Sequence, residues 1–367
     1  MISYLSKANK KVLRGTAILR LDFNAEDEWR MKATLPTVHL LLKHSDKIII
    51  LSHRGRPNGF DKNLSLRKKS ATLAKLLGKK IIFLPHFDFP VLKKSITDSP
   101  RKSIFVLENL RFLEGERKSD RQLAKKLAAL GDFYVNDSFA VDHRKDASLV
   151  AITEFLPSFA GLELEKEIKF LSKAMLKPKK PLVIVIGGAK AHDKLGVMKY
   201  FKKEAGSFLV GGASANTLLS ISGVDVKNSM ISKDKKDTKD LHQVLDYKNL
   251  ILPVDFKLRS GMILDIGGKT SKIFSEKIKS AQTIIWSGPM GAFEKKGFSG
   301  GTLAVAKAIA ENKKAFSVVG GGETVSFLGK HGLGRKFSFI STGGGAMLEF
   351  LAGEKLPAIE ALEKSKN

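Results

Sequence analysis

The chain has 367 residues, of which 43% are hydrophobic, with no cysteine and a formal net charge of +27. It has no run of about 18 apolar residues, so a transmembrane span is not expected, and its first residues lack the apolar core of a signal peptide. The absence of cysteine excludes a disulfide framework and fits a reducing cytoplasm. A chain of this length is expected to form two domains.

The positive charge is spread evenly along the sequence. Residues 1–160 carry a net charge of +13 and residues 161–367 a net charge of +14, with no block of more than three consecutive basic residues. A dedicated nucleic-acid surface usually concentrates its charge on one face. We therefore expect a solvated lysine surface and no specific nucleic-acid partner.

Short β-branched runs alternate with helical patterns in the first half of the chain. The predicted strands are 16–23, 47–52, 80–84, 103–107 and 132–136, and the predicted helices include 35–43, 66–77 and 120–130. Near-continuous apolar strands separated by helices predict a parallel sheet that is covered on both faces. In such sheets ligands bind beyond the carboxyl ends of the strands.

The stretch 155–175 reads as a turn followed by a helix, in which Leu164, Ile168 and Leu171 recur at helical spacing. The composition changes across this stretch. Residues 1–160 hold 11 of the 13 arginines, whereas residues 161–367 hold 26 of the 32 glycines. We therefore expect two lobes joined by this helix, the first binding an anionic substrate and the second a nucleotide.

Buried strands in the second half are followed at once by glycines. The predicted strands are 182–186, 207–210, 250–253, 283–287, 315–319 and 337–341, and five of them lead into VIVIGGAK, FLVGGAS, IIWSGPMG, FSVVGGGET and FSFISTGGGA. Backbone N–H groups at such turns bind phosphates, although neither GxxxxGK[ST] nor GxGxxG is present. The alternative is that these glycines serve only close packing between helices and strands. The predicted fold class is α/β, with two doubly wound parallel-sheet (Rossmann-like) lobes joined by a hinge helix.

Polar and basic residues lie at or beyond the ends of the predicted strands of the first half. They are Asp22 and Asn24 in RLDFN, Arg30, His53 and Arg56 in SHRGRP, Arg111 in ENLRF, and Arg144 in NDSFAVDHRKDAS. A single arginine is usually a surface residue, but arginine forks repeated at successive strand ends are typical of phosphate and carboxylate binding. The pattern predicts a small substrate that carries both groups.

These motifs, in this order, resemble those of the phosphoglycerate kinase family over nearly the whole chain. The resemblance includes RLDFN, SHRGRP, ENLRF, FLPSFAG, IGGAKAHDKLGV, GGASANTLL, ILPVDF, WSGPMGAFE, VVGGGET and STGGGAMLE. It implies reversible phosphoryl transfer between 1,3-bisphosphoglycerate and Mg-ADP, giving 3-phosphoglycerate and Mg-ATP. It also implies a cytoplasmic monomer of glycolysis and gluconeogenesis that closes about a hinge.

The resemblance implies a role for each part of the chain. Residues 1–155 would bind 3-phosphoglycerate, 156–176 would form the hinge and interdomain helix, 177–345 would bind nucleotide, and 346–367 would pack back on the first lobe. The implied substrate-binding residues are Asp22, Asn24, Arg30, His53, Arg56, Arg111 and Arg144, and the implied catalytic residues are Arg30, Lys190, Gly322 and Gly345. The implied nucleotide-binding residues are Gly188, Ala189, Lys194, Gly211, Gly212, Ser287, Pro289, Glu294, Gly320, Gly321, Gly322, Glu323 and Thr324.

Several positions depart from the family's pattern: Ala140 and Val141 stand where it has Gly-Thr, Gly268 replaces a proline, and the segment between Asn24 and Arg30 is shorter. Glu323 replaces the aspartate that holds the nucleotide-bound Mg²⁺, Ser287 replaces an asparagine, and Asp146 replaces a histidine. Glu323, Ser287 and the net charge of +27 motivate an alternative, a non-catalytic relative that keeps the fold and binds nucleotide or nucleic acid through its basic surface. The intact arginine set and Lys190 favour the enzyme, and a nicotinamide dehydrogenase is disfavoured without GxGxxG.

Overall fold

The computed structural model describes residues 1–25, 28–189, 191–232 and 238–365. The chain folds as two compact units. Unit 1 comprises Met1–Ile168 and Lys355–Asn367, and unit 2 comprises Lys169–Glu354.

The centre of unit 1 is a parallel sheet of six strands. They are β1 (Thr16–Arg20), β2 (Lys47–Leu51), β3 (Ile82–Leu84), β4 (Ile104–Leu107), β5 (Phe133–Asn136) and β6 (Ser158–Ala160), in the spatial order β3-β4-β2-β1-β5-β6. In the register of the central strands, Ile18 lies opposite Ile49 on one side and Tyr134 on the other. These residues are buried because helices cover both faces of the sheet.

The α-helices of the first segment of unit 1 alternate with these strands. They are α1 (Trp29–Ala33), α2 (Leu35–His44), α3 (Arg67–Leu77), α4 (Phe89–Asp98), α5 (Arg121–Ala128) and α6 (Leu162–Leu176), the last of which continues into unit 2. Their ends follow local sequence signals. The side chains of Asp88 and Asp120 accept N–H groups in the first turns of α4 and α5, and α3 ends at Gly78, whose φ is 61°.

Strand β6 differs from the turn predicted between residues 155 and 161. It pairs with β5, so that Ala160 lies opposite Asn136. Three residues are too few to establish an alternating pattern, and the strand forms because β5 offers an adjacent edge.

Unit 2 is built on a second parallel sheet and a separate hairpin. Its strands are β7 (Leu182–Ile186), β8 (Ser207–Val210), β9 (Leu250–Ile251), β10 (Phe256–Arg259), β11 (Met262–Ile266), β12 (Thr283–Ser287), β13 (Phe316–Gly320) and β14 (Phe339–Ile340). The sheet has the order β14-β13-β12-β7-β8-β9, and β10 and β11 form the antiparallel hairpin. The sequence prediction did not include this hairpin.

Helices also cover the sheet of unit 2. They are α7 (Leu195–Tyr200), α8 (Gly212–Ile221), α9 (Thr238–Leu245), α10 (Gly268–Ser280), α11 (Gly300–Glu311), α12 (Gly322–Lys330) and α13 (Gly345–Leu351). The core includes the fully buried side chains of Trp286, Phe274 and Val305. Three of these helices, α8, α12 and α13, begin directly after a strand and its glycines, so their N-termini lie at the carboxyl edge of the sheet.

The chain then returns to unit 1 as α14 (Pro357–Lys364). The N–H of Ala358 donates to the carbonyl of Asp142 at 3.1 Å, and Ala358 packs in a small core with Val141 and Leu149. Short 3-10 helices occur at Leu5–Lys7, Lys62–Leu64, Leu110–Phe112, Glu116–Lys118, Phe139–Val141, Ala151–Glu154, His192–Lys194 and Gly334–Lys336.

The predicted fold class, two doubly wound α/β lobes, is confirmed by these two sheets and the helices that cover them. Among the described residues, no helix is both long enough and apolar enough to pass through a bilayer.

Candidate functional site

The carboxyl ends of β1, β2 and β5 bring a set of basic side chains together in unit 1. The Nδ1 of His53 lies 3.1 Å from Nη2 of Arg20, and its Nε2 lies 3.2 Å from Nη1 of Arg144. The carboxylate of Asp22 accepts from Nη1 of Arg30 at 2.8 Å. Because the strands are parallel, side chains distant in sequence reach the same edge of the sheet.

His53 is fully buried between the two guanidinium groups. Burial and the charges of Arg20, Arg111 and Arg144 lower the pKa of His53 well below its usual value. The imidazole is therefore neutral at physiological pH, and a neutral ring accepts a hydrogen bond at one nitrogen only. His53 thus separates the two arginines without adding charge to the cluster.

The Arg111 guanidinium lies on the other side of this cluster. Its Nη1 donates to the carbonyl of Gly55 at 2.5 Å, and its Nη2 lies 3.6 Å from Oδ2 of Asp146. Burial, followed by the charge of Arg144, lowers the pKa of Arg111 to about 10. The group remains protonated at neutral pH, and its positive charge is incompletely solvated.

Unpartnered buried atoms concentrate around these residues. Arg30 Nε, Arg111 Nε, His143 Nδ1 and Asp146 Oδ2 have no hydrogen-bond partner within the part of the chain that the structure describes. An unpaired buried polar group costs about 1–3 kcal/mol, so each of these atoms is available to bind a ligand, an ion or a water. Two buried arginine N–H groups without acceptors favour an anionic ligand.

Most of the predicted substrate residues lie in this cluster. Asp22, Arg30, His53, Arg111 and Arg144 make the contacts above, and the Oδ1 of Asn24 accepts from the N–H of Gly55 at 2.7 Å. Arg56 is exposed, but its charge contributes to the lowered pKa of Arg144.

Arg20 belongs to the same cluster and was not predicted. It is fully buried, and its Nε donates to Oγ of Ser148 at 3.0 Å. The available signal was an arginine inside an otherwise apolar strand, because a buried arginine requires partners that only a folded site supplies.

The glycine-rich loops of unit 2 come together in the same way. After β7, the N–H of Gly188 donates to the carbonyl of Pro289 at 2.8 Å, and after β8 the N–H of Gly212 donates to Met290 at 2.9 Å. The N–H of Gly288 donates to Oγ1 of Thr324 at 3.1 Å. These bonds place the loops after β7, β8, β12 and β13 side by side at the carboxyl edge of the sheet.

A cavity of about 370 Å³ opens among these loops. Its lining includes the predicted nucleotide residues Gly188, Ala189, Gly212, Pro289, Glu294 and Glu323. Phe256 and Met262 of the β10–β11 hairpin form part of its apolar wall, a contribution that the sequence prediction missed. Apolar walls beside backbone donors suit a ligand with a flat apolar part and an anionic part.

The packing alternative holds for some of the glycines. A Cβ on Gly211 would lie 2.7 Å from Sδ of Met290, and a Cβ on Gly320 would overlap Met347. By contrast, a Cβ on Gly322 or Gly345 would meet no atom within 4 Å. Close packing therefore explains the first pair but not the second, which begins α12 and α13.

The remaining predicted nucleotide residues occupy different environments. Lys194 is buried, with its Nζ 3.8 Å from a Cβ placed on Gly188. Ser287 and Thr324 are also buried, and a Cβ on Gly321 would lie 3.8 Å from Oγ of Ser287. Lys190, predicted to be catalytic, lies outside the described residues.

The residues present fit a metal ion that arrives with the nucleotide. Glu323 is exposed in the first turn of α12 and lines the cavity. No group of three or more potential ligands from His, Cys, Asp and Glu occurs among the described residues. Mg²⁺ commonly binds through one or two carboxylates together with substrate phosphates, and a single carboxylate beside a nucleotide pocket matches that arrangement.

An arginine cluster on one α/β unit and a glycine-lined cavity on another are typical of a phosphotransferase with separate sites for an anionic substrate and a nucleotide. The comparisons agree with this class. The family model described as "Phosphoglycerate kinase" matches residues 9–354. The chain belongs to the phosphoglycerate kinase family, which confirms the predicted function as a kinase of that family.

Relatives and solved structures match along the full length. Proteins named phosphoglycerate kinase from Pseudothermotoga lettingae and Thermosipho africanus are each 41% identical, covering 95% of this chain and 96% and 95% of their own lengths. The phosphoglycerate kinase structure from Pyrococcus horikoshii superposes with a TM-score of 0.88 at 31% identity and covers 99% of both chains. The structure from Coxiella burnetii gives 0.83 at 32% identity and covers 100% of both.

Proposed function

We propose that this chain catalyses reversible phosphoryl transfer between 1,3-bisphosphoglycerate and Mg-ADP, giving 3-phosphoglycerate and Mg-ATP in glycolysis and gluconeogenesis. The observation that carries the proposal is the unit 1 cluster, in which buried Arg30 and Arg111 nitrogens lack acceptors among the described residues. A substrate with a phosphate and a carboxylate supplies the acceptors that these groups lack.

Each substrate-binding residue has a distinct proposed task. Arg111 and Arg144 bind the anionic oxygens, while neutral His53 and the polar pair Asp22 and Asn24 fix the orientation of the substrate. By its match to the family's motif, Arg30 approaches the group that is transferred. Its Nη1 is bonded to Asp22, and its Nε has no partner in the described part of the chain and is available to an anion. Phosphoryl transfer depends mainly on such positioning and on electrostatic stabilisation, so no nucleophilic side chain is required.

The nucleotide residues act mainly through positive charge and backbone amides. Lys194 stabilises the nucleotide phosphates from beside Gly188, and Lys190 contributes the point charge of its ammonium group to the transferring group. Gly322 and Gly345 begin helices and leave open space, so a phosphate can approach their amides closely. These donors stabilise charge that develops on the equatorial oxygens in the transition state.

Glu323 would hold Mg²⁺ when the nucleotide is bound. The ion would neutralise charge on the nucleotide phosphates. Glutamate is one methylene longer than aspartate, so we propose that the loop before α12 or an intervening water accommodates the near-octahedral geometry that Mg²⁺ requires.

The two half-sites lie in separate units, so we propose that transfer requires closure about a hinge at residues 156–161 and after residue 345. Closure would exclude water, which competes for the acyl phosphate. The family membership also supports a monomer, and the absence of cysteine supports a cytoplasmic location.

Turnover with 3-phosphoglycerate, ATP and magnesium, coupled to reduction of the acyl phosphate product, tests the proposal. We expect activity that is lost on Arg30→Ala and on Lys190→Ala, and retained in the exposed control Lys79→Ala. For Lys190→Ala, kcat should fall more than nucleotide affinity does, because its contact strengthens in the transition state. Nucleotide binding without turnover, also with manganese and with Glu323→Asp, would support a non-catalytic binder instead.

A further inference from the structure

The unit 1 cluster contains a carboxylate that the proposed reaction does not use. Asp146 is 4% exposed, and its Oδ2 lies 3.6 Å from Nη2 of Arg111. That distance is too long for a hydrogen bond. The two groups therefore attract each other electrostatically without satisfying each other's hydrogen-bonding capacity.

Neighbouring buried carboxylates are satisfied in a way that Asp146 is not. Glu116 accepts from the N–H and the hydroxyl of Ser148 at 3.1 and 2.6 Å, and Asp22 accepts from Arg30 and from the N–H of Asn24. Oδ2 of Asp146 has no hydrogen-bond partner in the described ranges. Leaving a buried carboxylate oxygen unpaired is costly.

The local fold does not explain the carboxylate. The turn that follows β5 is held by the backbone of Asp146, whose carbonyl accepts from the N–H groups of Leu149 and Val150 at 3.0 Å. Any residue type at this position would make those two bonds. The negative charge of the side chain therefore acts on something other than the turn.

The charge of Asp146 acts on the basic groups of the cluster. It opposes the lowering of the pKa values of Arg111, Arg144 and His143 that burial causes. A carboxylate that stabilises these cations in the substrate-free state competes with any anion that they bind.

We propose that Asp146 is a resident counter-charge for Arg111, which weakens the binding of the substrate anion and so sets the affinity of unit 1. The inference rests on the proposed function, because it assigns the cluster to the phosphoglycerate substrate. Asp146 is a positioning residue in this role. It orients and partly neutralises Arg111 and makes no contact with the transferred group.

The test uses Asp146→Asn, which removes the charge and preserves the shape. We expect two constants to fall: KM for 3-phosphoglycerate and the dissociation constant for sulfate, measured by calorimetry. Coulomb's law for the Asp146 charge and a bound anion roughly 7 Å apart, at effective dielectric constants of about 80 to 20, gives a decrease of about threefold to fiftyfold. The value of kcat should change much less. Unchanged or raised constants would overturn the proposal, since a merely structural role predicts weaker binding.

Three further measurements keep the result interpretable. If Asp146→Asn fails to fold, Asp146→Ala replaces it, and the dissociation constant for sulfate should fall in that variant too. The matched control is Glu154→Gln, which replaces an exposed carboxylate paired with Arg121 in the same unit. It should leave KM and the dissociation constant for sulfate unchanged. Wild-type protein that binds sulfate through Arg111 but does not turn over 3-phosphoglycerate would refute the proposed function, and the sulfate titration would still decide the role of Asp146.

Discussion

Replacing Asp142 by asparagine should remove a pH-dependent penalty on the stability of unit 1. The carboxyl group is fully buried, its Oδ1 accepts from Nδ2 of Asn136 at 2.8 Å, and its Oδ2 has no hydrogen-bond partner within the described residues. Burial raises the pKa of Asp142 from 3.8 to about 7, and the Asn136 bond and the charge of Arg20 only partly oppose this effect. The carboxyl group is therefore protonated in the folded protein over a range in which the unfolded chain is ionised.

Proton linkage determines whether stability rises or falls with pH. Between about pH 4 and about pH 7 the folded state binds the extra proton, so the free energy of unfolding decreases as pH rises. The slope is about 1.4 kcal/mol per pH unit, and the full shift amounts to roughly 4 kcal/mol above the folded pKa. An asparagine at this position does not ionise and keeps a carbonyl acceptor for Asn136.

The free energy of unfolding of wild type and Asp142→Asn is measured by urea denaturation at several pH values across this range. Hydrogen exchange of peptides from unit 1 assigns the unfolding transition to that unit. The free energy of unfolding of Asp142→Asn relative to wild type should increase as pH rises. The control is Asp98→Asn, which replaces an exposed carboxylate paired with Lys94, and its difference from wild type should stay constant over the same range. Parallel curves for wild type and Asp142→Asn would refute the reasoning. A variant that loses stability toward neutral pH would show that the buried group is ionised.

Three other substitutions test separate parts of the structure. Gly161→Ala should destabilise unit 1 by about 1–3 kcal/mol in urea unfolding, because the added Cβ would overlap the side chain of Asp137, and an unchanged midpoint would contradict the geometry. Arg111→Lys should raise KM for 3-phosphoglycerate by about tenfold or more, since lysine cannot bond both Gly55 and the substrate in a fork, and equal KM values would rule out a bidentate contact. Glu323→Asp should leave turnover with magnesium unchanged or improve it, and a loss above about tenfold, roughly 1.4 kcal/mol, would show that the loop is adapted to glutamate.

The parallel strands were predictable because they are short, apolar and bounded by polar loops. The runs 182–186, 207–210 and 283–287 match β7, β8 and β12 at both ends. Strand β6 was missed because it forms by pairing with the edge of β5, and the β10–β11 hairpin was missed because it packs beside the cavity of unit 2. Neither depends on a local sequence pattern.

The candidate site was predictable to the extent that its residues follow strands. Asp22 and His53 come directly after strands, and Arg144 follows β5 after a short 3-10 helix. The three converge because the sheet is parallel. Arg20 lies within a strand, and its importance depends on the packing of Ser148 and His53 around its guanidinium. The sequence also left open which glycines serve packing, since only their surroundings distinguish Gly320 from Gly322.

The chain enters unit 2 through α6 and returns to unit 1 with α14, so unit 2 is one continuous segment inserted into unit 1. During synthesis, all of Lys169–Glu354 emerges from the ribosome before α14 does. Unit 2 can therefore fold from adjacent sequence, whereas unit 1 must await its last helix, including the Ala358 contact to Asp142. Completion of the arginine-bearing unit is thus a late event in biosynthesis, and a chain truncated before Lys355 would carry a foldable unit 2 beside an incomplete unit 1.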